Sequence, residues 1–428
     1  MTWADQPQFF SDRDSLVLLE HQAGSVVAAM REWGLGRVDE RKKTIHFCGL
    51  IHHPEKGAVV FLPREARTGK RIEDLKTASL TMRALAKFGL ETSKREFESD
   101  GETGNPGTLS VIKWLADDYR DHGLFSERTR LQTRNSGKPD WGRTVKREIA
   151  MPGHNGQPVY TDIRSCRAVR TSEALIAQIQ AAVVKEINVA HGWWLPGALA
   201  RKADLVSCSQ PPFPRVTWAR KLDVLLPSLY SRRSVHLADY LRHYLRGTRA
   251  STSGSFVFGV SDFHSVWETM LRETIVRSPH DKRRNWNSKL PKPVYIYKDS
   301  NGGGHDARMR GMQTDIILDN VTSYTIVDAK YYAAKDASSA PGWPDIAKQF
   351  FYEKALREVV ETAPDTHIPI RNVFAFPSNT DDGPLGRAEL RWKDGTLAGE
   401  NFSAIECAYV SVVTALSCYV SGNQGVIL

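Results

Sequence analysis

Two short apolar runs, each bounded at one end by an acidic residue, constrain the fold of this 428-residue chain more than any other feature. Asp315 opens Ile316-Ile317-Leu318, and Asp328-Ala329-Lys330 closes Tyr324-Thr325-Ile326-Val327, with Asp319-Asn320-Val321-Thr322 between them. β-Branched runs around a polar turn predict a β-hairpin. A register symmetric about the Val321–Thr322 bond sets Asp315 directly opposite Asp328, with Cβ atoms roughly 5 Å apart. Two carboxylates that close repel each other unless a cation lies between them, which predicts a hard, oxygen-ligated Mg2+ site. Lys330 lies two residues beyond Asp328 and shares its strand face. A metal to activate water and an ammonium to position it are what phosphodiester hydrolysis requires. On its own the pattern is short, and two solvated carboxylates at strand ends would produce it equally well.

The flanking segments add to it. A helix is predicted over Asp262 to Ile275, capped by Ser261 or Asp262, with Phe263, Val266, Trp267, Met270 and Leu271 turned inward. Glu268 stands beside that apolar stripe and needs a metal or a basic partner if buried. Downstream, a helix over Pro344 to Val360 carries Gln349-Phe350-Phe351-Tyr352. Strands are predicted at Val294 to Tyr297, Thr314 to Leu318, Tyr324 to Lys330, Asn372 to Phe376 and Ile405 to Val410. From Phe256 the order is strand, helix, long basic loop, three strands, helix, strand. That alternation predicts an α/β (α+β) domain over 251–428, with a central mixed sheet flanked by helices.

Before it the chain divides into an α+β module over 1–125 and a basic region over 126–250. In the first, TIHFCGLIHH and AVVFLP flank Pro54-Glu55-Lys56-Gly57 as a hairpin, and helices are predicted over Leu75 to Leu90 and Leu109 to Tyr119. Helices beside a small hairpin are compatible with a winged-helix-like module. Glu98 to Gly107 reads as a loop. In the second, Arg128 to Arg147 holds seven basic residues against the single acid Asp140, and reads as an exposed loop or hairpin tip suited to phosphates. Arg143, Lys146 and Arg147 are its candidate DNA contacts. A merely solvated basic surface is the plainer reading. There follow an extended piece over Pro158 to Val169, a helix from Ser172 to Ala190, an irregular Pro- and Arg-rich connector from Leu195 to Arg233, and a helix over Val235 to Leu245. The small polar run Gly247 to Gly254 marks the boundary.

Lys and Arg exceed Asp and Glu by 58 − 49 = 9, a bias toward polyanionic partners. No apolar stretch approaches the roughly 20 residues of a membrane span. The N-terminus has no apolar signal region, so a cytoplasmic chain is expected. The five cysteines are scattered without a CxxC pair, which argues against a disulfide framework or structural zinc. His46, Cys48, His52 and His53 lie close together, but alternate residues of a strand face opposite ways. Thr68-Gly69-Lys70-Arg71 lacks the remaining residues of a nucleotide-binding loop, so no motor is expected in this chain.

Thr314-Asp315 with Asp328-Ala329-Lys330 resembles the signature of PD-(D/E)xK nucleases. Gln349 and Tyr352 resemble the Gln and Tyr that RecB-like members hold beside the active site, at a shorter spacing here. More specifically, FHSVWE, TDIILDN, IVDAKYY and DIAKQFFYEKAL, with GKPDWGRTVKR upstream, resemble the LlaJI family of restriction endonucleases, related to McrC nuclease subunits, from about Ser136 to the C-terminus. The resemblance implies a restriction or phage-defence enzyme cutting double-stranded DNA with Mg2+. Glu268, Asp315 and Asp328 would be its metal ligands, Lys330 would complete the catalytic set, and Gln349 and Tyr352 would lie toward DNA. It also implies a McrB-like AAA+ GTPase as partner, and a homodimer is a further expectation. Two other readings stand beside it: a DNA-binding adaptor on a nuclease scaffold, and an RNA-processing nuclease using the same metal chemistry.

Overall fold

A computed structural model describes residues 7–32, 37–39, 43–53, 57–100, 108–171, 175–195, 202–247, 256–298, 304–308, 311–334, 336, 338–361, 367–380, 386–398 and 402–428. The chain divides into two compact units, one joining Trp3–Ser110 to Ser251–Leu428 and the other comprising Val111–Ala250. Helices and mixed sheets alternate through both, an α/β architecture. No helix among the described residues is long and apolar enough to cross a membrane.

The first unit begins with β1 (Gln8–Ser11), α1 (Leu16–Glu32), β2 (Arg37–Asp39), β3 (Thr44–His46), β4 (Cys48–His53), β5 (Gly57–Leu62) and α2 (Arg71–Asp100). β4 and β5 form the expected antiparallel pair, Gly49 opposite Phe61 through His53 opposite Gly57. The turn residues 54–56 lie outside the described residues. The pair is the middle of a larger sheet, since β1 runs parallel to β5. Leu19, Val26 and Val27 of α1 close over Phe10, Phe47 and Phe61 to make its core. α2 runs to Asp100, past the residues where the loop was expected to start.

The second unit holds most of α3 (Thr108–His122), then β6 (Glu127–Arg134), β7 (Lys138–Pro139), α4 (Trp141–Arg147), β8 (Met151–Pro152), β9 (Pro158–Val159), β10 (Arg164–Thr171), α5 (Leu175–His191), α6 (Lys202–Ser207), α7 (Trp218–Leu225) and α8 (Arg232–Gly247). The basic stretch, expected as an exposed loop or hairpin tip, contains two strands and a helix. β6 pairs with β10 over its whole length, and the chain then turns into α4. Asp140, the one acid there, caps that helix by accepting a hydrogen bond from the Arg143 N–H at 3.1 Å. The supposed connector contains α6 and α7, because Pro211, Pro212 and Pro214 precede α7 and Pro227 follows it, and Trp218 and Leu222 give the helix a buried face. The cap expected at Ser172 lies outside the described residues. Asp118 of α3 is buried against the Arg233 guanidinium at 2.8 and 3.0 Å, and Trp114 stacks on Tyr240.

The first unit resumes with β11 (Phe256–Val260), α9 (His264–Thr274), β12 (Val294–Lys298), β13 (Gly304–Arg308), β14 (Ile316–Asp319), β15 (Tyr324–Ala329), α10 (Trp343–Val360), β16 (Ile370–Ser378), β17 (Gly386–Ala388), β18 (Ile405–Ser411) and α11 (Val412–Ser421). β11 does not enter the central sheet. It pairs with β4, Gly259 opposite Gly49, so near that a Cβ on Gly49 would stand 2.1 Å from the Phe258 carbonyl oxygen. β12 and β13 form a separate ribbon. The central sheet has the order β14-β15-β16-β18-β17, with parallel pairs in its middle and antiparallel pairs at both edges. One face carries Ile326, Ile370, Phe374 and Phe376 beneath α10. Tyr331 continues past β15 on the opposite parity and packs against Phe263 and Trp267 at the start of α9.

Candidate active site

The hairpin has the register read from its sequence: Ile316 pairs with Val327, Ile317 with Ile326, Leu318 with Thr325 and Asp319 with Tyr324. One step further along that diagonal stand Asp315 and Asp328. The turn is held by Asp319, whose carboxylate accepts from the Val321 N–H at 3.0 Å and supports Val321 at φ 71°, a costly position for a β-branched residue. Asp315 Oδ2 accepts from the Ala329 N–H at 2.9 Å, which ties the first acid to the strand of the second.

The three residues before the strand are clamped in turn. The Tyr352 hydroxyl donates to the Gln313 carbonyl at 2.6 Å. Asn287 bonds Thr314 through its N–H and its carbonyl, at 2.9 and 3.0 Å. Arg272 of α9 donates to the Asp315 carbonyl at 3.2 Å. A carboxylate so anchored cannot retreat far from its neighbour.

Asp328 is buried, with the Lys330 ammonium 2.7 Å from its Oδ2. Lys330 Nζ also lies 2.7 Å from Asp345 Oδ1, in the first turn of α10. Burial works against the ammonium, but the two carboxylates outweigh it and raise its pKa. Lys348, one turn further along α10, lies 3.9 Å from Asp328 Oδ1. Glu268 on α9 is half-buried and meets His264 at 3.2 Å. Asp315 feels the consequence: desolvation, then repulsion from Asp328 and Glu268, push its carboxyl up to about 7.

Among the described residues no three His, Cys, Asp or Glu side chains are gathered as a ready metal cage. Glu268 and Asp328 are turned to His264 and Lys330 instead. The donor chemistry still fits a hard divalent ion. Asp315 is pressed by two other carboxylates, and no cationic side chain among the described residues forms an ion pair with it.

Residues 47–391 match the family described as LlaJI restriction endonuclease. The chain belongs to that family. The match begins well before Ser136, so the N-terminal sheet from Phe47 on is part of the shared region, and it ends at Arg391. Membership makes this a nuclease of the restriction-endonuclease class. Among solved structures, the cryo-EM structure of the Thermococcus gammatolerans McrBC complex is similar at 12% identity and a TM-score of 0.30, covering 62% of this chain and 86% of that one. No curated protein matches the chain.

The remaining residues singled out from sequence in this LlaJI-family chain occupy varied places. Gln349 is fully buried and donates to the Ile326 carbonyl at 3.2 Å, and Tyr352 is buried apart from the hydroxyl contact just described. In these positions both fasten α10 to the hairpin. Arg143, Lys146 and Arg147 lie on α4, in the other unit. Lys146 and Arg147 are exposed, and Arg143 lines a recess of about 250 Å3 with Arg134 and Arg164. Asp345 and Lys348 escaped the sequence reading. Their one-turn spacing with Gln349 and Tyr352 along a single helical face was the available signal.

Proposed function

We propose that this LlaJI-family chain is a PD-(D/E)xK nuclease that hydrolyses phosphodiester bonds of double-stranded DNA at the cluster of Asp315, Asp328 and Lys330. The observation that carries the reading is the clamped Asp315 carboxyl, repelled by Asp328 and Glu268 and lying beside a strand that presents an ammonium. Asp315, Asp328 and Glu268 are the side chains that would hold Mg2+, which supplies Lewis-acid stabilisation of the phosphoryl oxygens and an acidified water.

The protein's own groups have distinct tasks. Lys330 keeps its proton throughout the neutral range, so it serves as a fixed positive charge for a phosphate oxygen rather than as a base. Asp345 and Asp328 hold that charge in place. The exposed Lys146 and Arg147, with Arg143 in its recess, supply cations for backbone phosphates, which position a duplex without reading its sequence. The family resemblance extends the proposal to an AAA+ GTPase partner, to a second copy of the chain and to a cytoplasmic site of action.

One observation favours a second reading, a DNA-binding subunit that does not cut: Glu268 and Asp328 are already matched by His264 and Lys330. Incubating the purified protein with methylated and unmethylated supercoiled plasmid separates the two, in Mg2+ or EDTA and with or without a neighbouring NTPase. Nicked or linear product that requires Mg2+ supports the nuclease. Retarded but intact plasmid under every condition supports the adaptor.

A further inference from the structure

Beside the proposed cutting site lies a cleft of about 780 Å3 that the hairpin does not build alone. The strand end supplies Lys330 and Tyr332, the start of α9 supplies Asp262 and His264, and the N-terminal segments supply Arg13 and Arg64. All belong to the first unit. Its size lies within the range of about 300–1,000 Å3 typical of ligand clefts. The lining holds one carboxylate, Asp262, and three cations, of which Lys330 is matched by Asp328 and Asp345, so its remaining positive charge is that of Arg13 and Arg64.

Both arginines are preset. Arg13 sits at φ 73°, in the left-handed region that non-glycine residues seldom adopt. Its N–H donates to the Ile45 carbonyl at 2.8 Å, and its guanidinium meets His46 Nε2 at 2.9 Å and Asp12 at 3.7 Å. The Arg64 N–H donates at 2.9 Å to the hydroxyl of Tyr331, the residue after Lys330. The loop that carries Arg64 is thereby fastened to the strand that carries the proposed catalytic ammonium. Among the described residues no carboxylate lies within ion-pair distance of the Arg64 guanidinium, although Asp12 is near enough to feel its charge.

We infer that this cleft is a backbone-phosphate subsite for the DNA strand flanking the scissile bond, with Arg64 as its principal contact and Arg13 as a second, held in place by His46. The inference rests on the proposed nuclease reading and deepens it: the N-terminal sheet is part of the substrate channel. A guanidinium without an acidic partner among the described residues, lining one cleft with a fixed ammonium, suits a polyanion that passes along both.

The test uses the full chain and a fluorescein-labelled duplex. Binding is followed by anisotropy in Ca2+ over a series of KCl concentrations, and plasmid cleavage in Mg2+. Arg64→Ala is expected to keep the wild-type melting temperature, to bind roughly 5–10-fold more weakly near 0.1 M salt, and to lower the slope of log K against log salt by about one, the signature of one lost phosphate contact. Arg64→Lys is expected to keep most of the slope. Unchanged affinity and slope in Arg64→Ala, in a protein that still binds and cuts DNA, overturn the subsite and leave the nuclease reading standing. A wild-type chain that neither binds nor cuts the duplex overturns both.

Discussion

Lys330 is buried between Asp328 and Asp345, and that position changes what its removal does. Lys330→Met leaves Asp328 buried without its nearest counter-charge, so a loss of about 2–4 kcal/mol is expected in urea unfolding. Asp328→Asn/Lys330→Met removes both charges and should recover much of that stability, while cleavage stays at least two orders of magnitude down in both variants. A double variant that regains activity along with stability would make the lysine a structural residue only. Asp315 provides a pH test. Its folded pKa of about 7 lies above the ordinary 3.8, so its contribution to stability is full in acid and is lost as pH rises toward 7. Asp12, pushed up to about 6, acts in the same direction, and comparison with Asp315→Asn isolates the Asp315 part. Melting temperatures in EDTA from pH 5 to 8 should fall more steeply for wild type than for Asp315→Asn, and Mg2+ at pH 8 should raise only the wild type. Parallel curves with no metal effect would count against the site. Asp315 and Asp328 were legible because an antiparallel hairpin encodes its own register locally. Asp345 was not, since it arrives from a helix whose approach to the strand depends on the whole sheet.

At the scale of elements, α10 does more than its sequence suggested. Glu353, on the helix face toward the sheet, accepts from Asn372 of β16 at 2.6 Å, from Arg357 at 3.0 Å and from Ser403 at 2.8 Å, in surroundings that exclude water. Glu353→Ala leaves the side-chain N–H of the fully buried Asn372 without its acceptor and should cost about 2–4 kcal/mol in chemical unfolding, whereas Glu353→Gln should cost much less. Equal losses in the two variants would show that volume, not hydrogen bonding, sets the cost. α4 carries a prediction of another kind. Replacing Arg143, Lys146 and Arg147 together with Ala should flatten the salt dependence of DNA binding by about one per lost contact. An unchanged slope would mark the helix as merely solvated. Helices with a clear apolar period were placed well from sequence, and so were strands with local partners. The partner of β11 was hidden because it lies some 200 residues earlier, and nothing in Phe256–Val260 names it. The basic stretch was read as a loop or hairpin tip because its strand partner is distant in sequence: β6 pairs with β10, beyond a second short ribbon of β8 and β9.

Across the whole molecule, the chain folds back so that its first hundred residues share a unit with the central sheet. The LlaJI family match, residues 47–391, includes parts of both units. The carboxylates, the ammonium and the arginine cleft all belong to the first unit, and α4 lies in the second. The central claim is that the cluster on the hairpin cuts DNA. The most direct measurement is the rate of supercoiled-plasmid cleavage in Mg2+ by wild type and by Asp315→Asn, at matched folded fraction and with duplex binding in Ca2+ measured alongside. The account predicts that binding is retained while cleavage falls by two or more orders of magnitude, about 3 kcal/mol in the barrier. Cleavage by Asp315→Asn at the wild-type rate would contradict it and move the chemistry elsewhere in the chain.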